Sequence, residues 1–428
     1  MTGPRLATLL ACLAALPQLV VYAGHVRSGS YPGSAFKPRV DAILDAARSA
    51  AAGGPFVAVP AGSDWSLAPG LLNDVGMAGI LDLASRLRGE AIGRRALGAA
   101  NLAFLCAALF GLVAALDGRL RPALVPLFLL VPISVREYRS VDTVAIHGAL
   151  ATLGIVIAAA LGRPWPAWAG IPLGAALFLV HKVRSVYGLY ALAATLVLAA
   201  VLWRLDRRAL ARLACLVATF LALEVPWHFA MTARATDPRV VDGETLRSHG
   251  FWEPFVSGVG WTENRWGIKP WDPWVVQFLA DRLGLEPVPI PTAEGERRSR
   301  VLYFSLWREA PLHLAGLYLA RIPQACREHF VLGIPGALAW LPATLAALRR
   351  AWRRGDAGLL SALVPGVVLV GCLVFQTIVI DPRLIYANPL RFVSAYGLAV
   401  GAFVIVSDRL SRFRSRRRAA PDPSLRSG

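Results

Sequence analysis

The chain has 428 residues, 56% hydrophobic and only 17% charged, and its apolar residues come in runs of roughly 20, the length that crosses a hydrocarbon layer of about 30 Å. The formal charge of +18, from 45 Lys and Arg against 27 Asp and Glu, sits in short arginine clusters between those runs, a topological pattern and not a nucleic-acid-binding face. The five cysteines have no metal or disulfide spacing, and no phosphate-binding glycine loop, Gly-x-Ser-x-Gly elbow or paired-histidine protease motif occurs, which argues against ATPase, serine hydrolase and metalloprotease chemistry.

Leu6 to Ala23 reads as a first span, an uncleaved helix although the Val-Tyr-Ala-Gly ending at Gly24 has the look of a cleavage site. From His25 to about Gly93 the chain is mixed. Val40 to Ala52, ended by Gly53-Gly54, and Leu71 to Leu87, following Pro69-Gly70, have apolar residues on one face and predict helices at the membrane surface. Further spans are expected at 94–116, 122–134, 141–161, 167–181, 186–202, 209–228, 329–348, 357–379 and 389–407, about ten with the first.

The connections alternate in character. Arg119 and Arg121, Arg163, Arg204 with Arg207 and Arg208, Arg349 to Arg354, and Arg409 to Arg418 mark one set as cytoplasmic by the positive-inside rule, with both termini inside the cell (inner) membrane. The expected fold class is an all-α polytopic membrane protein with extracytoplasmic loops that carry surface helices. It divides into a transmembrane module over 1–228 with its first loop at 25–93, a Trp-rich extracytoplasmic segment over 229–328, C-terminal spans over 329–408 and a basic tail over 409–428.

All three lysines, Lys37, Lys182 and Lys269, fall in the opposite, outer set, where the topological rule does not explain a positive charge. Arg136 and Arg139 are offset by Glu137 and Asp142, so that hairpin tip is locally neutral. His181, Lys182 and Arg184 have no acid within several residues. They either snorkel to lipid phosphate or form a dedicated anion site. Asp381-Pro382-Arg383 and Arg391 add a third basic element, and three of them on one face suggest a bound phosphate held by Lys182, Arg184, Arg383 and Arg139. His147 and Glu224 lie within spans and read as buried, hydrogen-bonded groups, with a proton path as the alternative for Glu224.

Five tryptophans lie between Trp252 and Trp274, close after His249. They read either as an interfacial belt or as a carbohydrate platform, in which indole faces stack on sugar and neighbouring polar groups bond its hydroxyls. His249, Trp252, Trp261, Trp266 and, from the hairpin tip, Tyr138 are the candidate sugar contacts. Trp274 to Leu283 and Arg298 to Arg321, bent at Pro311, predict amphipathic surface helices.

Taken together, Val40 to Gly54 followed by Pro69 to Ala115, Arg136-Glu-Tyr-Arg-Ser-Val-Asp142, Pro226-Trp227, the His249-Gly-Phe-Trp to Trp-Gly-Ile segment, and Asp381-Pro-Arg to Pro389 are similar to passages of the GT-C superfamily of integral-membrane glycosyltransferases. The passages resemble in particular the protein-mannosyltransferase-like bacterial members. The resemblance implies a polyprenyl-phosphate sugar as donor, a saccharide, lipid or protein acceptor, and a catalytic acid in the first outer loop. In the family that acid sits in a Gly-Asp-x-x motif. Here its place, counted back from Gly53, falls near Arg39; the nearest acid is Asp41, and Asp45, Asp64 and Asp74 are rivals. Asp142 would orient the base, bind the acceptor or help to hold a divalent cation.

The chemistry implied is simple. A phosphate leaving group needs cations more than a general acid, and one carboxylate suffices to take the acceptor's proton, so direct displacement would invert the anomeric centre. Other readings are a flippase or transporter of a lipid-linked saccharide, a non-catalytic binder of one, and an oligosaccharide polymerase or ligase.

Overall fold

The apolar runs fold into helices, and a computed structural model describes residues 3–28, 37–55, 58–66, 75–88, 92–133, 146–240, 251–270, 272–288, 292–380 and 384–419. The first run is α1 (Gly3–Ser28). A surface pair follows, α2 (Lys37–Ala51) and α3 (Val75–Arg88), with a short antiparallel hairpin of β1 (Val59–Ala61) and β2 (Asp64–Ser66) between them. Then come α4 (Arg94–Ala115), α5 (Leu124–Leu130), α6 (His147–Leu161), α7 (Gly170–Val183), α8 (Ser185–Leu202) and α9 (Arg207–Ala235). The long segment carries α10 (Glu253–Val259), α11 (Asp272–Leu283), α12 (Ala293–Glu309) and α13 (Pro311–His329). The chain closes with α14 (Gly333–Arg354), α15 (Ala357–Phe375) running into a π turn over Gln376–Ile380, and α16 (Leu384–Ala419).

Among the described residues, six stretches are long and apolar enough to cross a membrane: Gly3–Arg27, Arg94–Ala115, Ser185–Leu202, Arg207–Ala233, Ala357–Ile380 and Pro389–Ser411. The protein is therefore a helical, multi-pass, membrane-embedded protein. Of the other four expected spans, the one at 329–348 is α14. It passes the same test only jointly with α13, and the pair is bent by 96°. Leu332 makes that corner with φ 62, a left-handed backbone that side-chain-bearing residues rarely adopt.

The remaining three expected spans are shorter helices, α5, α6 and α7. Pro122, Pro126 and Pro132 explain α5, because each removes an amide donor and restricts its predecessor. The 15 residues of α6 rise only about 22 Å, yet nearly all of them are buried, so this helix is surrounded by protein and need not match a lipid thickness.

The helices share one large core that takes in residues from α1 to α16, and α1 is built into it: Ala11, Ala14, Ala15 and Tyr22 are buried. The Gln18 amide donates to the carbonyls of Phe128 (2.6 Å) and Val131 (3.2 Å) and accepts the Ile133 N–H (2.9 Å), satisfying groups freed where α5 ends. A second, smaller core gathers α10 to α13 around Val256, Val259, Leu302, Leu306 and Leu314 and touches the bundle at Val379.

At the arginine-rich end of the bundle, ion pairs close the connections: Arg119 with Asp356, Arg212 with Asp206, and Arg350 with Asp408. Asp356 also accepts the Leu359 N–H at 3.0 Å and caps α15.

Candidate functional site

At the opposite end, α7 and α8 meet at a sharp corner and α9 runs alongside. The approach of α7 to α9 depends on two glycines: a Cβ at Gly170 would lie 2.1 Å from the Arg212 carbonyl oxygen, and one at Gly174 would lie 2.4 Å from that of Leu216. Further along the same contact the partners become large. Phe178 packs edge-on against Phe220 and Trp227, and the His181 ring meets Phe220.

Lys182 follows in the last turn of α7. Its Nζ lies 2.5 Å from Glu224 Oε1, with side-chain exposures of 11% and 31%. The ammonium also sits 5.5 Å from the Phe178 ring centre and 5.6 Å from that of Trp227. This corrects the expectation of an unpaired cation: an acid 42 residues away in the chain supplies the counter-charge. Glu224 is the hydrogen-bonded group that its place in a span suggested, but only one of its oxygens is used. Oε2 is buried with no hydrogen-bond partner among the described residues.

The backbone of Lys182 is clamped from above. A Cβ at Gly76 would fall 2.3 Å from the Lys182 carbonyl carbon, so the first turn of α3 rests directly on the end of α7. The corner itself is Arg184, buried and with a partner, whose carbonyl accepts the N–H groups of Tyr187 (3.1 Å) and Gly188 (3.3 Å) to start α8. The His181 imidazole bonds the Ser185 carbonyl at 3.2 Å across the same turn. Beside it, the His147 ring lies 5.1 Å from that of Tyr187, and the Tyr190 hydroxyl donates to Gln376 Oε1 at 3.1 Å, tying α8 to the π turn.

Of the first-loop acids, Asp41 and Asp45 lie on α2, which packs on α3, and Asp74 lies outside the described residues. Asp41 pairs with Arg94 at 3.0 Å, both about two-fifths exposed, and Asp45 pairs with Arg48 at 3.1 Å. Asp64 lies on the exposed hairpin. The hairpin is anchored by Trp65, whose indole fills the space beside Gly54 and whose backbone N–H donates to the Arg239 carbonyl at 2.9 Å, next to a bridge to Val240. Trp65 thus joins the first loop to the chain that follows α9. Sequence reasoning passed over it, and a lone tryptophan beside a turn was its only signal.

The long segment is organised by polar side chains that bond backbone. Glu296 accepts the N–H groups of Phe251 (2.6 Å) and Trp252 (2.9 Å), a carboxylate at the start of α10 where free amides favour an anion. Asn264 bonds Thr262 and both backbone groups of Ile268, closing the turn between them. Arg321, almost fully buried, donates to the Thr262 hydroxyl (2.7 Å), the Ile378 carbonyl (2.9 Å) and the Val259 carbonyl (3.3 Å), and so clamps α10 to the π turn.

Two of the expected sugar contacts have neighbours inside this small core. Trp252 packs with Phe251, Phe255, Tyr303 and Phe304, and Trp266 meets the His313 ring at 5.2 Å. Trp261 is half-buried and has a partner. Tyr138, Arg139, Asp142, His249 and Arg383 lie outside the described residues. The structure therefore brings Lys182, Arg184 and the α3 cap of the first loop to one end of the bundle, and it places Asp41 on the helix that packs against that cap.

Two carboxylates beyond the spans stay ionised far into acid. Hydrogen bonds from Arg239 hold Asp237 down to about 2, and those from Arg297 and then Arg298 hold Glu294 to about 2. Among the described residues, no group of three or more His, Cys, Asp or Glu is placed to hold a metal ion. Comparison of the chain with protein-family models, curated proteins and solved structures found no match.

Proposed function

We propose that the protein is a membrane glycosyltransferase that moves a sugar from a polyprenyl-phosphate donor to an acceptor on the extracytoplasmic side. The observation that carries this reading is Lys182. It is a nearly buried cation at the end of the bundle opposite the arginine clusters, set against aromatic rings and roofed by the first loop. By the positive-inside rule the arginine clusters are cytoplasmic, both termini lie inside, and Lys182 sits near the outer leaflet. In this topology α5, α6, α7 and α14 join the six long helices to make ten crossings.

The chemistry follows from the charges. As the acceptor oxygen attacks the anomeric carbon, the bond from that carbon to the phosphate oxygen breaks and negative charge grows on the phosphate. Lys182, with Arg184, Arg383 and Arg139 as further candidates, stabilises that charge. Asp41, oriented by Arg94, takes the acceptor proton, with Asp142 as its partner. A single in-line displacement inverts the anomeric centre.

The test is incubation of the purified full chain with a panel of radiolabelled polyprenyl-phosphate sugars. Transfer or slow hydrolysis of at least one is expected. If none turns over and none raises the thermal unfolding midpoint, the reading fails. A second reading, a flippase, is favoured by the Lys182–Glu224 pair itself, since an ion pair between apolar helices suits coupled transport. It predicts that labelled lipid crosses a vesicle membrane chemically unchanged.

A further inference from the structure

The Lys182–Glu224 pair is incompletely satisfied. An ion pair removed from water is stable only when its remaining lone pairs and protons are bonded, yet Glu224 Oε2 is buried without a partner among the described residues. Among the described residues, one hydrogen bond, from Lys182, holds the carboxylate. Its surroundings also open in one direction. On α9, Leu221, Val225 and Phe229 are exposed, and Leu179 is exposed on α7, so the pair stands at the edge of an apolar surface that faces lipid. The Lys182 main chain is fixed under Gly76, which leaves the side chains as the parts able to rearrange.

We propose that Glu224 is an exchangeable counter-ion. At rest it neutralises Lys182, and the phosphate of a lipid lying along the exposed α7–α9 face displaces it, exchanging one anion for another on the same ammonium. The inference rests on the reading that this end of the protein binds a lipid-linked phosphate, and adds how the empty site is kept neutral and by what path the headgroup enters. It makes Glu224 a competitor of the ligand, whereas a merely structural Glu224 would support the site.

The experiment is equilibrium binding of a radiolabelled long-chain polyprenyl phosphate and of the matched neutral polyprenol to the full chain in nanodiscs. With Glu224→Gln, the polyprenyl phosphate is expected to bind about tenfold more tightly, because the anion that competes for the Lys182 ammonium has been removed. With Lys182→Gln it is expected to bind about tenfold more weakly, and the double variant should match Lys182→Gln, since Glu224 acts only through that lysine. The polyprenol should be indifferent to all three changes. Inorganic phosphate at millimolar concentration should not compete; competition would make the ligand a free phosphate and overturn the lipid route. Equal or weaker binding by folded Glu224→Gln overturns the proposal, as does absence of binding to every form. If that variant does not fold, Glu224→Asp replaces it: the carboxylate drawn back by one methylene should tighten binding, and unchanged or weaker binding overturns the proposal. Sugar transfer is measured on the same samples, so loss of the transferase reading with the charge exchange intact is a distinct result.

Discussion

Helix α9 carries an ion pair toward each end, and the two are built differently. Arg212 is fully buried, and its guanidinium donates to the Leu161 carbonyl (2.8 Å), the Trp165 carbonyl (2.8 Å) and Asp206 (2.5 Å), while the other Asp206 oxygen accepts the Arg208 N–H at 2.9 Å. Every polar group there has its partner, and the pair fastens the end of α6 to the start of α9. Lys182–Glu224 joins α7 to α9 with a single contact, an idle carboxylate oxygen and a lipid-facing edge. The first arrangement serves stability. The second leaves interaction capacity unused, as the proposed exchange of counter-ions requires.

That contrast breaks if the two pairs respond alike to mutation. Arg212→Met removes a guanidinium and strands two carbonyls and a carboxylate, so the unfolding free energy in detergent should fall by about 3–5 kcal/mol. Lys182→Gln should lower it by clearly less, and equal losses would erase the distinction. Gly76→Val comes next: its Cβ would overlap the Lys182 carbonyl, and about 1–3 kcal/mol of strain is expected, with lipid-phosphate binding lost more than stability as α3 lifts away. Thermal unfolding and binding on the same sample check both parts.

The smallest effect is one of pH. The Glu294 carboxyl is depressed from 4.5 to about 2, so its contribution to α12 is complete above about pH 4.5 and is lost as pH falls toward 2. Its side chain is exposed and screened, so Glu294→Gln should lower stability only slightly, by an amount that is present at pH 7 and disappears as pH falls from about 4.5 toward 2. A loss that persists undiminished at about pH 2 would point to some other role.

The sequence made part of this legible. Apolar runs located the long helices because a span must be apolar along its whole length. The amphipathic helices α2, α3, α11, α12 and α13 followed from their periodicity, and the break at Pro311 from its missing donor. The corner at Leu332 was not legible, since a left-handed backbone is expected at glycine. Nor was the partner of Lys182: charge counting looks a few residues along the chain, and Glu224 reaches it only because Gly170 and Gly174 let two helices close up. The tryptophan cluster was visible as composition, but its packing against Tyr303, Phe304 and His313 depends on helices up to some fifty residues downstream. The first-loop acid gained a partner, Arg94, from across the loop, a pairing that no local pattern contained.

The most direct measurement of the central claim is the rate at which the full chain in proteoliposomes releases labelled sugar from a polyprenyl-phosphate donor, for the natural protein and for Lys182→Met side by side. Loss of a cation that stabilises the leaving phosphate predicts a fall of about 100-fold with the thermal midpoint largely kept. A variant that folds and releases sugar at the natural rate would contradict the assignment of Lys182 as the phosphate-binding centre of this protein.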